Sequence, residues 1–408
     1  MKPLHATHPR RTDLLKALAR DAWINFAAHP LGWPLAQLAR VLGPIIRVPG
    51  LGVVVSGFEA GHDILTRDRE FTKNGDGSLS AVLTQALGPA ALSNMDGEEH
   101  RRLRARLKDL LTPARADAMV QSCGAPLDEA ARALEAGRIV DLVSVAQAVS
   151  GRVTLAMIGA TPGEAGLDEA AREICALAAR AASSVQLRPL SQSTLRRVRA
   201  DLDRLTAYAR AASESPAPPE SSLVQRLRTL GLDAEETRGV LSIFFLAGTL
   251  TSAVALPRIV ALLIDSGAMS TLRADPGLVA RAVDEGLRFV APVPATVRIA
   301  AADADVRKQR IGAGARVIVM TASMARDPAL YDRPQAFDIT RDVGSRARFL
   351  WYGAGPHFCI GFPLAQRQMA FAISALAVLR GDLRIVQRRV AFGALLPAYS
   401  CLRVRLVR

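Results

Sequence analysis

The stretch Trp351-Tyr-Gly-Ala-Gly-Pro-His-Phe-Cys-Ile-Gly361 says more about this chain than any other. It places Cys359 in a loop framed by glycines, just before a helix-forming run at residues 364–379. Glycines let the backbone turn tightly and approach a flat object, and a helix N-terminus stabilises a nearby thiolate through its dipole and free N–H groups. The loop therefore predicts a cage for a single axial thiolate on haem iron; the alternative is a structural buried cysteine.

The spacing of this stretch resembles the haem-binding signature of the cytochrome P450 family, F-x-x-G-x-[RH]-x-C-x-G. Four signature positions match, namely Gly355, His357, Cys359 and Gly361, and Tyr352 stands where the family usually has Phe. The resemblance implies that Cys359 binds the iron of haem b (iron protoporphyrin IX). It also implies that other residues of the loop contact the cofactor: Tyr352, Gly353, His357 and Gly361.

A pair of oppositely charged residues, Glu285 and Arg288, matches the E-x-x-R pair of the family. Residues at i and i+3 share a helix face and can form an ion pair. Surface pairs of this kind are common, but Cys359 follows Glu285 by 74 residues, which is a usual separation in the family. The family often adds an arginine at the position of Ala336. Either another group completes the network here or the network has two members.

His100 and Arg104 lie at i and i+4 on one helix face, where both can donate to a single anionic group. A solvated basic face is the alternative interpretation. The segment from Asn94 to Arg104 resembles the start of a helix that binds the haem propionates in the family. The resemblance implies the same role for Arg298 and His357.

Residues 239–257 contain no charged side chain and are numerous enough to span a bilayer. Polar residues such as Ser242 and Thr249 interrupt the run, so we interpret it as a core helix and predict no membrane span. Asp233 is a good N-cap, and the helix is expected to run from there to Asp265.

Within this helix, Ala247-Gly-Thr-Leu-Thr-Ser252 resembles the oxygen-binding segment [AG]-G-x-[DE]-T of the family. The resemblance implies that Ala247 contacts the cofactor, that Gly248 opens the helix for dioxygen, and that Thr251 and Ser252 supply hydroxyls. A buried threonine can instead bond the carbonyl four residues earlier. Leu250 replaces the acid of the family and cannot transfer protons, which favours peroxide use or a non-standard reaction.

The chain is strongly basic, with a net charge of +14. Its basic residues are dispersed and aromatic residues make up only 5%, which disfavours nucleic-acid binding. In the family an acidic electron carrier docks beside the haem, so we expect a ferredoxin, with its reductase, to bind basic residues near the motifs: Arg101, Arg102, Arg106, Lys108, Arg346, Arg348 and Arg367. The four cysteines are widely spaced, which indicates a reducing, cytoplasmic location without disulfides or a zinc site.

The resemblance covers nearly the whole chain and implies the cytochrome P450 fold as one domain, residues 1–408. This fold is mainly α with small β-sheets, and haem is buried between the long central helix and the cysteine loop. The clearest strands are residues 53–56, 316–320 and 402–406. We expect a monomer.

The expected activity is that of a monooxygenase, an oxidoreductase that inserts one oxygen atom from O₂ into a lipophilic molecule such as a terpenoid, steroid, fatty acyl chain or polyketide-like product. The alternatives are a haem-thiolate peroxygenase, isomerase or dehydratase, and a catalytically silent haem protein. By analogy with the family, the substrate contacts are Leu79, Val82, Leu87, Phe244, Val293, Ala295 and Leu396.

Overall fold

Helices dominate the chain, as the sequence predicts. The computed structural model describes residues 11–75, 78–160, 163, 166–184, 190–214, 222–344 and 349–408. In chain order, the α-helices of this part are α1 (Arg11–Ala28), α2 (Gly32–Leu42), α3 (Phe58–Thr66), α4 (Leu79–Leu87), α5 (Gly97–Leu107), α6 (Pro113–Val120), α7 (Gly124–Glu135), α8 (Leu142–Ile158), α9 (Leu167–Ser183), α10 (Gln192–Glu214), α11 (Leu223–Leu230), α12 (Ala234–Asp265), α13 (Ala268–Ala274), α14 (Val279–Val290), α15 (Thr321–Met324) and α16 (Phe362–Ala377).

The strands are short and form small sheets at one side of the helices. They are β1 (Ile45–Val48), β2 (Gly52–Val55), β3 (Phe71–Thr72), β4 (Val140–Asp141), β5 (Thr296–Ala300), β6 (Ala304–Val306), β7 (Gln309–Ile311), β8 (Arg316–Val319), β9 (Asp382–Val390) and β10 (Tyr399–Val407). One sheet has the order β1-β2-β8-β5-β3, another β4-β10-β9, and β6 pairs with β7. The three predicted strands correspond to β2, β8 and β10, and β2 and β8 run parallel with Val53 opposite Val317.

Helix α12 runs through the centre of the molecule and begins where the sequence predicts. The Asp233 carboxylate accepts a hydrogen bond from the Glu236 N–H at 2.8 Å, and the Glu236 carboxylate accepts one from the Asp233 N–H at 2.9 Å. This capping box satisfies two backbone donors. Among the described helices, α12 is the one long and apolar enough to cross a membrane, but 61% of its most apolar window is buried inside the protein. It is therefore a core helix.

Buried hydrogen bonds connect both α12 and α16 to α8. The hydroxyls of Thr249 in α12 and Thr154 in α8 lie 2.9 Å apart. Gln368 of α16 donates to the Ser150 hydroxyl of α8 at 2.9 Å. These contacts fix the cysteine-bearing region and the central helix to the same partner, α8, so the two sides of the space between them have a common support.

Helix α1 is tied to the core by buried charges. Asp21 accepts from Arg258 of α12 at 2.7 Å and from Arg326 at 2.5 Å. The side chains of Asp21 and Arg258 are 4% and 1% exposed, so both charges depend on each other for compensation. The Arg258 guanidinium also donates to the Pro397 carbonyl at 3.1 Å, which brings the turn after β9 to the same place.

Candidate functional site

A cavity of about 330 Å³ lies between α12 and the loop that precedes α16. Its wall on the α12 side includes Ala247, Gly248, Thr251 and Ser252, and the opposite loop contributes Cys359. The rest of the wall is mainly apolar, with Leu92, Ile243, Phe244, Leu287 and Val293 among its residues. The predicted ligand and the predicted oxygen-binding segment thus face the same space.

The cysteine loop rests directly on the end of α3. Gly355 has a φ of +67°, and a Cβ at this position would lie 2.6 Å from the Leu65 carbonyl oxygen. No residue with a side chain fits here without moving one of the two backbones. Within the loop, the Cys359 N–H donates to the Tyr352 carbonyl at 3.0 Å. The backbone therefore fixes the place from which the Cys359 sulfur reaches the cavity.

The surroundings of Cys359 oppose ionisation of the free thiol. Burial raises the pKa of the Cys359 thiol, although the backbone N–H groups of Gly361 and Phe362 and the charge of Arg104 act to lower it. Burial also raises the pKa of the Tyr352 hydroxyl well above its usual value. A thiolate here needs a directly bound cation to compensate its charge, and the iron of haem is such a cation.

In the described part of the chain, five basic side chains face this cavity: Lys73, His100, Arg104, Arg298 and His357. Burial is the main cause of lowered pKa values throughout the group, to about 7 for Lys73, about 10 for Arg298 and about 4 for His100. No Asp or Glu lines the cavity among the described residues. Burial disfavours the charged forms of these basic groups, and a ligand with carboxylates would favour them again. The cavity therefore fits a ligand with a flat apolar body and carboxylates at one edge, as in haem b with its two propionates.

Asp96 organises this basic cluster from behind. Its carboxylate lies 3.2 Å from Nε2 of His357 and accepts hydrogen bonds from the backbone N–H groups of Lys73 and Asn74 at 2.9 and 2.8 Å. The His357 ring stacks on the His100 ring with 4.2 Å between centroids. Burial lowers the pKa of His357, and the Asp96 carboxylate raises it in part. The arrangement orients two of the predicted propionate ligands together.

The structure brings the predicted cofactor residues together and adds two that sequence reasoning missed. Lys73 follows β3, far from every motif, and its position depends on long-range packing that no local pattern reveals. Asp96 lies inside the segment recognised from the sequence, between Asn94 and His100. A carboxylate within a basic propionate-binding segment was a signal that could have identified it.

The Thr251 hydroxyl makes the hydrogen bond within the helix that is common for threonine. Its hydroxyl donates to the Ala247 carbonyl four residues earlier at 2.9 Å, and it still lines the cavity beside Gly248. A hydroxyl that donates in this way keeps its lone pairs free to accept. Leu250 packs against the hydrophobic core instead of lining the cavity. The usual acid position therefore carries no proton donor.

Glu285 and Arg288 are fully buried and paired, with Nε to Oε2 at 2.6 Å and Nη2 to Oε1 at 2.8 Å. Arg288 also donates to three backbone carbonyls, at Ala325, Pro334 and Ala336, over 2.9–3.0 Å. Arg341 supplies the third member of the network, since its Nε lies 3.2 Å from Oε2 of Glu285. The network therefore has three charged members. Ala336 contributes its carbonyl, and Arg341 supplies the guanidinium that the family often has at position 336.

The predicted substrate residues divide into two groups. Phe244 and Val293 line the cavity. Leu87 and Val82 do not, because α4 buries them at 1% and 5% exposure, and Leu87 belongs to the main hydrophobic core. Two more residues also lie off the cavity wall, Ala295 in the turn before β5 and Leu396 in the turn after β9. Leu79 begins α4, but its side chain lies outside the described residues.

Comparisons with known proteins agree with this site. A sequence profile of the family described as Cytochrome P450 matches residues 270–377, which include Glu285, Arg288 and Cys359. The chain is 29% identical to the erythromycin C-12 hydroxylase of Saccharopolyspora erythraea over 73% of its own length and 75% of that protein. It is 33% identical to the cytochrome P450 YjiB of Bacillus subtilis over 41% of its own length, and it spans less than half, 43%, of that relative.

The fold is similar to that of solved cytochrome P450 structures. Epothilone D-bound cytochrome P450epoK superposes with a TM-score of 0.80 at 21% identity, and the match covers 94% of this chain and 97% of that one. The cysteine loop, the basic cluster that fits haem b and the sequence relatives all lead to one assignment. By its sequence profile, its relatives and its fold the chain is similar to the cytochromes P450, and its site fits their cofactor, haem b.

Proposed function

We propose that the chain, as a single monomeric domain in the cytoplasm, inserts one oxygen atom from O₂ into a lipophilic small molecule. The observation that carries this proposal is the placement of Cys359 and the Gly248–Thr251 segment on the wall of one cavity. Bound haem would supply the reductive activation of dioxygen at its iron.

The residues of the chain have distinct roles in this proposal. Cys359 would bind the iron, and five basic side chains would hold the propionates: Lys73, His100, Arg104, Arg298 and His357. Gly248 leaves room beside α12: a Cβ there would meet only the end of the Met157 side chain, at 3.3 Å. Thr251 and Ser252 present hydroxyls to the cavity and would hold water and pass protons.

The cavity wall supports a lipophilic substrate. Phe244, Ile243, Leu92 and Val293 provide apolar surface, which favours an apolar molecule over a charged one. The similarity to erythromycin C-12 hydroxylase favours a large polyketide-like substrate within this class.

An acidic ferredoxin remains the proposed electron donor, but fewer basic residues are free to bind it than the sequence suggests. Arg101 pairs with Asp68 at 2.8 Å, Arg367 pairs with Asp117 at 2.6 Å, and Arg106 donates to the Leu230 carbonyl. Arg346 and Arg348 lie outside the described residues. Arg102 and Lys108 are exposed on and just after α5, and they are the centre of the proposed docking surface.

A second candidate function is peroxide-driven oxygenation. The observation in its favour is the absence of Asp and Glu from the cavity wall of the described residues, together with the apolar packing of Leu250. Proton delivery would then depend on hydroxyls and water. Added peroxide already carries its protons and does not need that route.

The experiment is a screen of apolar compounds for displacement of the iron-bound water, followed by turnover of each positive compound under ¹⁸O₂. A monooxygenase uses reduced ferredoxin in a substrate-dependent manner and places one ¹⁸O atom in the product. A peroxygenase forms the product only with peroxide. Binding without product in either mode would refute both functions and leave a silent haem protein.

A further inference from the structure

The outer surface of α1 and α2 exposes large apolar side chains next to one another. The members of this group, here called the outer patch, are Trp23, Phe26, Leu31, Leu35, Leu38 and Leu42. Leu31 is 84% exposed and Leu42 is 64% exposed. Contiguous exposed apolar groups of this kind mark an interaction site more often than scattered ones do.

Helix α2 is built the opposite way from an ordinary surface helix. Its buried residues are the small Ala36 and Ala39. The large residues at positions 31, 35, 38 and 42 follow a spacing of four, three and four residues and so form one stripe, and they point outwards. A helix that buries alanine and exposes leucine is stabilised further when something apolar covers the leucines.

The patch continues onto α1 and onto the turn after β9. Trp23 stacks on Phe26 with 5.7 Å between ring centroids, and Phe392 packs edge-on against Trp23 at 5.9 Å. The Gly393 N–H donates to the Ala27 carbonyl at 3.0 Å. The buried ion pairs of Asp21 hold α1 to the core, so the patch is a fixed part of the surface.

The charges around the patch select its partner. Between residues 17 and 58 the sequence has one acid, Asp21, which is buried between two arginines. The same segment carries Arg20, Arg40 and Arg47. Two further carboxylates come from elements that pack against this segment. Asp265 forms ion pairs with Arg20 and Arg388, and Asp327 accepts a hydrogen bond from the Phe58 N–H. Residues 17–58 therefore carry a net positive charge.

We propose that the outer patch binds the surface of an anionic lipid membrane, with α2 lying in the plane of the interface. Leucine, tryptophan and phenylalanine on one face with arginines beside them are typical of helices that enter the headgroup region. A symmetric contact with a second copy would instead bring two positively charged segments together, which like-charge repulsion opposes. The site differs from the cavity and does not depend on the proposed reaction.

The test uses the haem-loaded protein and sedimentation with vesicles of phosphatidylglycerol or of phosphatidylcholine. The wild type is expected to bind phosphatidylglycerol vesicles, with binding that weakens as salt rises and with a blue shift of tryptophan emission that is smaller in Trp23→Phe. The triple variant L35S/L38S/L42S is expected to lose at least about tenfold in vesicle affinity, because three leucines no longer leave water.

The matched control is I139S/V378S, which changes two residues that are 57% and 67% exposed outside the patch. It should bind vesicles like the wild type, and an unchanged haem spectrum in every variant shows that folding is intact. Equal vesicle binding by the triple variant, or equal binding to both lipids, would refute the proposal. A wild-type dimer that becomes a monomer in the triple variant would show that a second copy covers the patch instead.

Discussion

Arg341 donates to Glu285 across 56 positions of the chain and completes a buried network that the sequence left open, with 3.2 Å between Nε and Oε2. The Glu285 carboxylate also accepts from the Asp338 N–H at 2.8 Å. One carboxylate therefore joins α14 to the segment between α15 and the cysteine loop.

Removing that carboxylate should destabilise the protein strongly. Glu285→Ala leaves Arg288 and Arg341 buried without a counter-charge, and we expect a loss of about 3–5 kcal/mol. Arg341→Ala should cost less, about 1–3 kcal/mol, because Arg288 remains paired.

The measurement is the urea unfolding midpoint of the haem-loaded protein. Asp303→Ala, which removes an exposed ion pair with Arg310, should leave the midpoint unchanged. Equal midpoints for Glu285→Ala and Asp303→Ala would contradict this account.

The axial ligand can be tested by spectroscopy. Cys359→Ala should abolish the long-wavelength Soret band that a thiolate ligand gives to the reduced, CO-bound protein, because no other described cysteine lines the cavity. Cys401→Ala changes a half-buried cysteine of β10 and should leave the band intact. A normal thiolate band in Cys359→Ala would show that the ligand is another residue.

Lys73 should make haem affinity depend on pH. Burial lowers its pKa to about 7, so above pH 7 the amine is mostly neutral without a ligand carboxylate beside it. Carboxylates of a bound ligand would raise that pKa again, and binding then takes up a proton. The affinity advantage of the wild type over Lys73→Met should therefore shrink as pH rises from 7 to 9, by up to about tenfold per pH unit.

Transfer of haem to apomyoglobin at each pH measures this ratio. Lys108→Met, a change of an exposed lysine, should show no such pH-dependent difference. A ratio of wild-type to Lys73→Met affinity that stays constant between pH 7 and 9 would exclude a role for Lys73 in holding the cofactor.

Electron delivery should depend on salt through α5. The double variant Arg102→Gln/Lys108→Gln should be reduced several-fold more slowly by an acidic ferredoxin at low salt, and its rate should vary less with ionic strength than that of the wild type. Stopped-flow reduction gives both quantities. Arg196→Gln, on the exposed side of α10, is the control and should behave like the wild type. A double variant with unchanged rate and salt dependence would place the docking surface elsewhere.

The missing acid in α12 should reduce coupling of electrons to product. Leu250→Asp would put a carboxyl next to Thr251, and we expect more product per electron with ferredoxin and O₂, and little change with added peroxide. Leu250→Asn has the same shape but cannot relay protons, so it separates proton transfer from polarity. A wild type that already couples tightly, with both variants only losing activity, would show that another proton route exists.

The sequence predicts those parts of the site that depend on local spacing. The capped helix from Asp233, the loop around Cys359 and the pair Glu285–Arg288 each follow from residues close in the chain, and the structure contains each of these elements. Contacts made by tertiary packing were not accessible in this way: Lys73 and Arg341 reach their partners from distant segments.

The prediction of substrate contacts was limited in a similar way, because it too depended on tertiary packing. An apolar run such as α4 does not reveal which of its faces meets the core and which meets the cavity, because both environments favour the same side chains. Leu87 accordingly belongs to the core, whereas Phe244 and Val293 line the cavity.

The contact of Gly355 with the end of α3 has a consequence for how such an enzyme can change over time. The backbone of Gly355 contacts the backbone of α3 directly. The position of the Cys359 sulfur therefore depends little on the side chains around the loop. The apolar wall, by contrast, includes the large side chains of Phe244 and Val293. Substitutions of wall residues can therefore change which substrate fits, while the position of Cys359 is unchanged.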